Sequence, residues 1–298
     1  GMRFDDRVTS KISAFAPHAH IVHIDIDPAE IGKNVRVDVP IVGDVRMVLQ
    51  EINKLVTTNR HVGWLEELET WRKEHPMLGI RDADGLLPQY VIRQIYEATR
   101  GEAIIATGVG QHQMWAAQHY YYDKPNALLS SGGLGTMGFG LPAAMGAKIG
   151  YPDKPVWCID GDGSFQMTIQ ELATIVQEQA AVKIAIINNG YLGMVRQWQE
   201  LFYKQRYVAT PISCPDFVKI AESYCFPGLR VQHKEEVVPA IEQAMAHPGP
   251  FLIDFKVDPE ENVYPMVPPG AALAEILEDP KKKVKPISDS TRLPVSNI

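Results

Sequence analysis

Cysteine is scarce in this sequence: Cys158, Cys214 and Cys225 are the only three in 298 residues. None forms a CxxC pair, so they read as reduced thiols in a cytosol-like compartment. Cys158 falls in an apolar run and reads as a small core hydrophobe. Long apolar stretches are missing as well. None approaches the roughly 18 residues of a membrane span. Positive charge is in deficit, with 29 Lys and Arg against 36 Asp and Glu, a net charge of −7. That balance argues against a nucleic-acid partner. There are no internal repeats and no low-complexity segment. No signal peptide is visible, and Gly1-Met2 reads either as native sequence or as a remnant before a start codon. What is present, 45% hydrophobic and 22% charged residues, suits a globular protein with a substantial core in one or two domains.

The most informative stretch begins Asp160-Gly161-Asp162-Gly163-Ser164 and ends Asn188-Asn189-Gly190-Tyr191, with 24 residues between Gly163 and Asn188. Val156 to Ile159 is a short apolar strand with Asp160 and Gly161 at its end. Thr168 to Gln179 carries Ile169, Leu172, Ala173 and Val176 at helical spacing. Val182 to Ile187 is a second apolar, β-branched run. Strand, helix, strand is a βαβ unit, whose two strand ends lie side by side on a parallel sheet. Open α/β sheets bind ligands at that edge.

Asp162 offers a carboxylate there, Asn189 a neutral carbonyl oxygen, and Tyr191 a main-chain carbonyl. This is a hard-oxygen set for Mg²⁺, which takes about six oxygens and shares them with phosphate and water. One protein charge leaves room for an anionic diphosphate. Gly161 and Gly163 allow close backbone approach, and Gly163 and Ser164 can donate N–H groups to phosphate. A lone Gly-Asp-Gly more often marks a plain turn; the Asn pair at this spacing carries the metal–diphosphate reading.

Along the chain, residues 1–57 read as strand (21–26), extended segment (37–42) and a helix from Val45 to Leu55 capped by Asp44. They form the end of a doubly wound domain, with a sheet edge and an apolar face left open. Residues 58–85 are a linker holding a charged helix, Trp64 to Glu74, ended by Pro76 and Gly79. Residues 86–258 alternate helices and strands: helix 87–99, strand 103–106, strand 128–130, helix 138–149, the βαβ unit, helices 192–202 and 217–224, strand 228–231, helix 235–246 and strand 251–257. The expected fold class is α/β, a doubly wound, mostly parallel sheet preceded by the end of a second α/β domain. Residues 259–298 are a C-terminal extension, with Lys281-Lys282-Lys283 a solvated tail.

At the Gly-Asp-Gly…Asn-Asn motif the chain resembles the thiamine-diphosphate enzymes. Gly108-Val109-Gly110-Gln111-His112-Gln113-Met114-Trp115, the run from Ser131 to Pro142, and Leu192-Gly193-Met194-Val195-Arg196-Gln197-Trp198 narrow the resemblance to the catalytic subunit of acetohydroxyacid (acetolactate) synthases. Arg3 to Arg7 and His23 to Asp27 resemble the end of that family's middle, FAD-binding domain. The resemblance runs from residue 1 to about residue 278. It implies decarboxylation of pyruvate and condensation with a second 2-oxoacid, pyruvate or 2-oxobutyrate, in branched-chain amino acid biosynthesis. Implied cofactors are thiamine diphosphate, Mg²⁺ and FAD, the last structural. Implied partners are further copies of the chain, as dimer or tetramer, and a regulatory small subunit, in the cytoplasm of a bacterial-type cell; organellar targeting is left open. The chain is shorter than the family's catalytic subunits. The pyrimidine-binding domain, with its activating glutamate, is not represented, so the chain by itself is expected to be inactive and prone to self-associate. Two alternatives stay open: another thiamine-diphosphate 2-oxoacid enzyme (a catabolic acetolactate synthase or a pyruvate oxidase-like protein), or a non-catalytic cofactor-binding fragment.

Residue by residue, the resemblance gives Gln111 and His112 diphosphate contacts, and Gly135 and Met137 contacts to the aminopyrimidine, with Met137 beneath the bent cofactor. It places Trp198 in the substrate channel, favouring the larger acceptor, and Arg7 near the acceptor carboxylate. Asp25, Ile26, Asp44 and Val45 match FAD adenosine contacts, and a strand-end carboxylate can take ribose hydroxyls. Without the family, His112 reads equally as structural, Met137 as core filler, Trp198 as part of a stripe with Met194 and Phe202, and Arg7 as a surface charge.

Overall fold

The computed structural model describes residues 4–281, which divide into two compact units. Gly1 to Arg3, and Lys282 and Lys283 of the lysine run, lie outside the described residues.

The smaller unit takes residues 4–79 and 264–281. Its elements are α1 (Asp6–Thr9), β1 (Val22–Asp25), β2 (Val39–Val42), α2 (Val45–Ile52) and α3 (Val62–Glu74). β1 and β2 pair in parallel, from Val22↔Val39 to Asp25↔Val42. Asp44 caps α2 as the sequence predicts, its Oδ1 accepting from the main-chain N of Arg46 at 3.0 Å and Met47 at 3.2 Å. Two strands bury little, and Val22, Val39, Val42, Met47 and Leu55 are exposed. Of these, the paired Val22 and Val39 are exposed on one face of the two strands, part of the open apolar face expected of residues 1–57. Segment 264–281 joins this unit through the main-chain bond Lys11 N to Ala271 O (3.0 Å) and the His75–Glu278 contact at 2.7 Å.

The larger unit is Ile80–Val263. In order it holds α4 (Pro88–Thr99), β3 (Ile104–Thr107), α5 (Gln111–His119), β4 (Leu128–Ser130), α6 (Gly140–Gly150) and β5 (Val156–Gly161). There follow α7 (Asp162–Phe165), α8 (Leu172–Gln177), β6 (Lys183–Asn188), α9 (Gly193–Phe202), α10 (Phe217–Ser223), β7 (Gly228–Val231), α11 (Lys234–Ala246) and β8 (Phe251–Lys256). The six strands run in the order β4-β3-β5-β6-β8-β7, every pair parallel. β5 and β6 are buried along their whole length, which is why they read as continuous apolar runs.

Strand alternation feeds two cores. Trp157 and Ile159 join Ile92, Ile95, Trp115 and Ile241 on the face covered by α4, α5 and α11. Cys158 joins Leu141, Leu172, Ile175 and Phe217 on the face of α6, α8 and α10. Burial pushes the Cys158 thiol well up, so it remains an inert thiol, as the sequence predicts. The sheet is the doubly wound, parallel one expected. Its strand order reverses between β3 and β5, where such folds open a crevice.

Two elements differ from the sequence reading. The helix expected over 168–179 is instead the end of a 3₁₀ segment, Gln166–Glu171, kinked at Thr168, followed by the short α8; α7 precedes them. Thr168 Oγ1 donates to Gly138 O at 2.8 Å, so a tertiary bond competes with the helix there. α5 is a helix that the apolar spacing of the sequence does not mark. Its buried positions are Gln111, His112, Trp115, Ala116 and His119, helical in spacing but largely polar.

Candidate active site

The ends of β3, β5 and β6 meet at the crevice. β5 delivers Asp162, 2% exposed, and β6 delivers the Asn189–Tyr191 turn. Asp162 Oδ2 accepts from Gly190 N at 2.7 Å, and Oδ1 accepts from Gly163 N at 2.9 Å. The carboxylate and the Asn-Asn turn are thus brought together, as the βαβ argument requires. Cys214 Sγ lies 3.4 Å from Asp162 Oδ2. Burial, with Asp162 beside it, pushes the Cys214 thiol up to about 12, so it donates as a thiol.

Burial raises the Asp162 carboxyl above its ordinary value, against the pull of its bonds from Gly190, Cys214 and Gly163. An ionised carboxylate has about four acceptor sites, and three are taken. The remaining one, the Asn189 carbonyl and the Tyr191 main-chain carbonyl are hard-oxygen groups of the kind that could hold Mg²⁺. Among the described residues no three His, Cys, Asp or Glu side chains group together. The set carries a single charge and leaves the rest to an anionic ligand.

Glycines line the crevice because side chains do not fit. A Cβ on Gly161 would lie 2.6 Å from His112 Nδ1, and one on Gly163 would lie 2.9 Å from Leu192 Cδ2 and 3.7 Å from Met137 Cε. His112 is therefore seated against Gly161, and the half-buried Met137 beside Gly163. His112 Nε2 is 3.3 Å from Asp160 Oδ1, outside hydrogen-bond geometry. Gly135 lies in the exposed 132–136 loop with φ +66. Ser164 Oγ accepts from Gly138 N at 3.0 Å and Val109 N at 3.3 Å, so its hydroxyl ties two loops together.

Gln111 differs from expectation in one respect. Its Nε2 donates to Gln197 Oε1 at 2.9 Å and to Glu261 O at 3.2 Å, and its Oε1 accepts from Asn189 Nδ2 at 3.2 Å. Both amide N–H groups are spent inside the protein. A phosphate contact by Gln111 in this arrangement falls to its main-chain N–H at the start of α5.

Trp198 is 39% exposed, packs edge-on against Phe202 at 5.5 Å, and lines an open cavity of about 850 Å³ with Met194, Val195, Gln199, Tyr203, Arg206 and Val208. It is a wall of a groove and not core filler. In the same helix Arg196 is buried, pairs with Glu200 at 2.9 Å and lies over the Tyr191 ring at 5.4 Å.

The remaining predicted residues sit in the smaller unit. Arg7 is exposed, 4.0 Å from Asp5. Asp25 closes β1, its Oδ1 accepting from Asp27 N at 2.9 Å, a bond that holds its carboxyl below the ordinary value. Gly43 N donates to Asp25 O at 2.9 Å, so Asp25, Ile26, Asp44 and Val45 share one edge of the two-stranded sheet. Fixed carboxylates at a strand edge with exposed Ile26 and Val45 beside them fit a nucleoside. Sequence reasoning missed Asp160, Gln197 and Glu261, which burial reveals, and Cys214, which its contact with Asp162 reveals.

Comparison with known proteins bears on the site directly. Residues 108–255 match the family model "Thiamine pyrophosphate enzyme, C-terminal TPP binding domain", and residues 1–52 match "Thiamine pyrophosphate enzyme, central domain". An acetolactate synthase of Mycobacterium leprae is 51% identical over 97% of this chain and 48% of its own length. The acetolactate synthase large subunit IlvB1 of Mycobacterium tuberculosis is 50% identical over 97% of this chain and 48% of its own. Acetolactate synthase 1, chloroplastic, of Oryza sativa is 50% identical over 94% and 46% respectively. The chain spans about half the length of the curated relatives it matches. With the site at the ends of β3, β5 and β6 lying inside the matched cofactor-binding domain, the chain belongs to the thiamine pyrophosphate enzyme family and is similar to the carboxyl-terminal portion of acetolactate synthases.

Proposed function

We propose that this chain is the thiamine-diphosphate-binding half of an acetolactate synthase, acting on pyruvate with pyruvate or 2-oxobutyrate as acceptor. The observation that carries the reading is the 2.7 Å bond from Gly190 N to Asp162, which joins the only carboxylate of the set to the Asn189–Tyr191 turn. Bound thiamine diphosphate supplies the nucleophilic carbon and the electron sink for decarboxylation. In this reading Asp162, Asn189 and the Tyr191 carbonyl hold Mg²⁺, and His112, the Gln111 main chain, Gly163 and Ser164 surround the diphosphate. Met137 supports the cofactor rings, with Gly135 beside them. Trp198 and Met194 wall the acceptor. Arg7 is assigned to the acceptor carboxylate, and Asp25, Ile26, Asp44 and Val45 to FAD, by resemblance. A dimer or tetramer, a regulatory subunit and a cytoplasmic location belong to the same proposal. No described helix is long and apolar enough to cross a membrane.

Titration of the chain with thiamine diphosphate, read by tryptophan fluorescence, tests the reading. Binding should require Mg²⁺ and should fail with thiamine monophosphate. Equal binding of both compounds, or indifference to Mg²⁺, would remove its basis.

Trp198→Leu in the active enzyme should keep acetolactate formation and lose preference for 2-oxobutyrate. An apolar pocket discriminates one methylene by about 1–3 kcal/mol, so the preference should fall roughly tenfold or more. A product-ratio assay with both oxoacids present measures it. An unaltered ratio in a folded variant would take Trp198 out of the acceptor site.

A further inference from the structure

Behind the cation site runs a buried chain of primary amides. Gln197, 0% exposed, donates from Nε2 to Val263 O at 3.0 Å, and its Oε1 accepts from Val263 N at 2.8 Å. Those two bonds fix which end of the Gln197 amide is oxygen. Its Oε1 then accepts from Gln111 Nε2, whose second N–H goes to Glu261 O. Gln111 is thereby left with its oxygen facing Asn189 Nδ2 at 3.2 Å. With its amino group committed, Asn189 has Oδ1 on the other side, where it accepts from Tyr191 N at 3.1 Å.

Each amide could reverse if considered alone, since its two ends have nearly the same shape. The polarity is set at the far end, by the main chain at Val263. That strap is itself anchored: Glu261 is 4% exposed, accepts from Gln89 Nε2 at 2.8 Å and pairs with Arg81. Gly193 makes the path possible. A Cβ there would lie 2.1 Å from Gln111 Oε1 and 2.7 Å from Asn189 Nδ2.

We propose that Gln197 is a positioning residue for the cation site: it sets the direction of the Gln197–Gln111–Asn189 amide chain, so that Asn189 presents its carbonyl oxygen and not its amino group. The inference rests on the reading of Asp162 and Asn189 as cation ligands. Outer partners of metal ligands commonly act this way, and their loss costs about 10- to 100-fold in metal affinity.

The test is Mn²⁺ binding by the chain in the presence of thiamine diphosphate, followed by the paramagnetic resonance signal of free Mn²⁺. Gln197→Met keeps the volume and removes the polarity; it should weaken Mn²⁺ binding by about 10-fold or more. Gln197→Glu still accepts from Gln111 and Val263, and should recover most of that loss. In an Asn189→Asp background either end of the side chain is oxygen, so Gln197→Met should cost nothing further. A role confined to holding the fold would cost the same in both backgrounds and would overturn the proposal. If Gln197→Met does not fold, Gln111→Met removes the middle amide while leaving the Gln197–Val263 bonds, and carries the same expectation. Native affinity in a folded Gln197→Met or Gln111→Met also overturns it. If Asp162→Ala leaves Mn²⁺ binding intact, the cation-site reading falls and this inference falls with it.

Discussion

Asp162→Ala should abolish Mg²⁺-dependent binding of thiamine diphosphate. Asp162 is the only charged member of the proposed ligand set, and it is 2% exposed, so no neighbouring solvent can replace it. A loss of at least about 100-fold, near 2.7 kcal/mol, is expected. The alanine also strands the Gly190 N–H and the Cys214 thiol, and an unpaired buried donor costs about 1–3 kcal/mol. Asp162→Asn separates the two effects. It retains an acceptor for Gly190 and nearly the same volume, so it should fold and still lose the cation. Calorimetric titration with cofactor and Mg²⁺ reads both variants, and unchanged affinity in either would end the metal assignment.

Comparing the native protein with Asp162→Asn isolates a pH effect. Burial raises the Asp162 carboxyl, so in the metal-free protein its contribution to stability is fully present below the unfolded value of about 3.8 and is lost as pH rises through the folded value. Mg²⁺ reverses this preference, because it binds the charged form. The native protein should therefore lose cation affinity as pH falls through that raised value, while Asp162→Asn should show a flatter dependence.

The sequence made the strands legible because the sheet is parallel and covered on both faces. Central strands such as Val156–Gly161 and Lys183–Asn188 must then be apolar throughout, with turn residues at their ends. The meeting of Asp162 with the Asn189 turn followed from the same logic, since adjacent parallel strands end together. α5 was illegible because its inner face mixes apolar Trp115 and Ala116 with buried polar residues: Gln111 is held there by hydrogen bonds and His112 by close approach to glycine, which periodicity does not register. Gln197 was hidden for a related reason. On sequence it is one of several polar residues on a helix, and its three hydrogen bonds, two with Val263 and one with Gln111, together with its full burial, show that it is interior. The kink at Thr168 depends on a partner thirty residues away, Gly138, which no local window contains.

Gly108→Ala should be among the most damaging single-methyl changes in this chain, although the residue bears no functional group. A Cβ on Gly108 would lie 1.8 Å from Asp160 Oδ1, 2.5 Å from Asp160 Cγ and 2.3 Å from Ser164 Oγ. Asp160 is 0% exposed, and its Oδ1 is held by Gly161 N at 2.9 Å, so the carboxylate has nowhere to retreat. Moving it would also disturb His112, 3.3 Å away, and the Ser164 hydroxyl that tethers Val109 and Gly138. Overpacking of this kind costs about 1–3 kcal/mol where side chains can shift; here main chain must shift, and a loss of about 3 kcal/mol or more is expected. Gly146→Ala is the matching control. Gly146 lies within α6 with nothing within 4 Å of a Cβ. It should be neutral or gain up to about 1 kcal/mol from helix propensity. Urea denaturation followed by tryptophan fluorescence compares the two, and cofactor titration of whatever Gly108→Ala protein folds gives the second readout. Native stability and native cofactor affinity in Gly108→Ala would mean that the β3–β5 crevice is looser than its contacts imply, and that the glycine lining is not what shapes it.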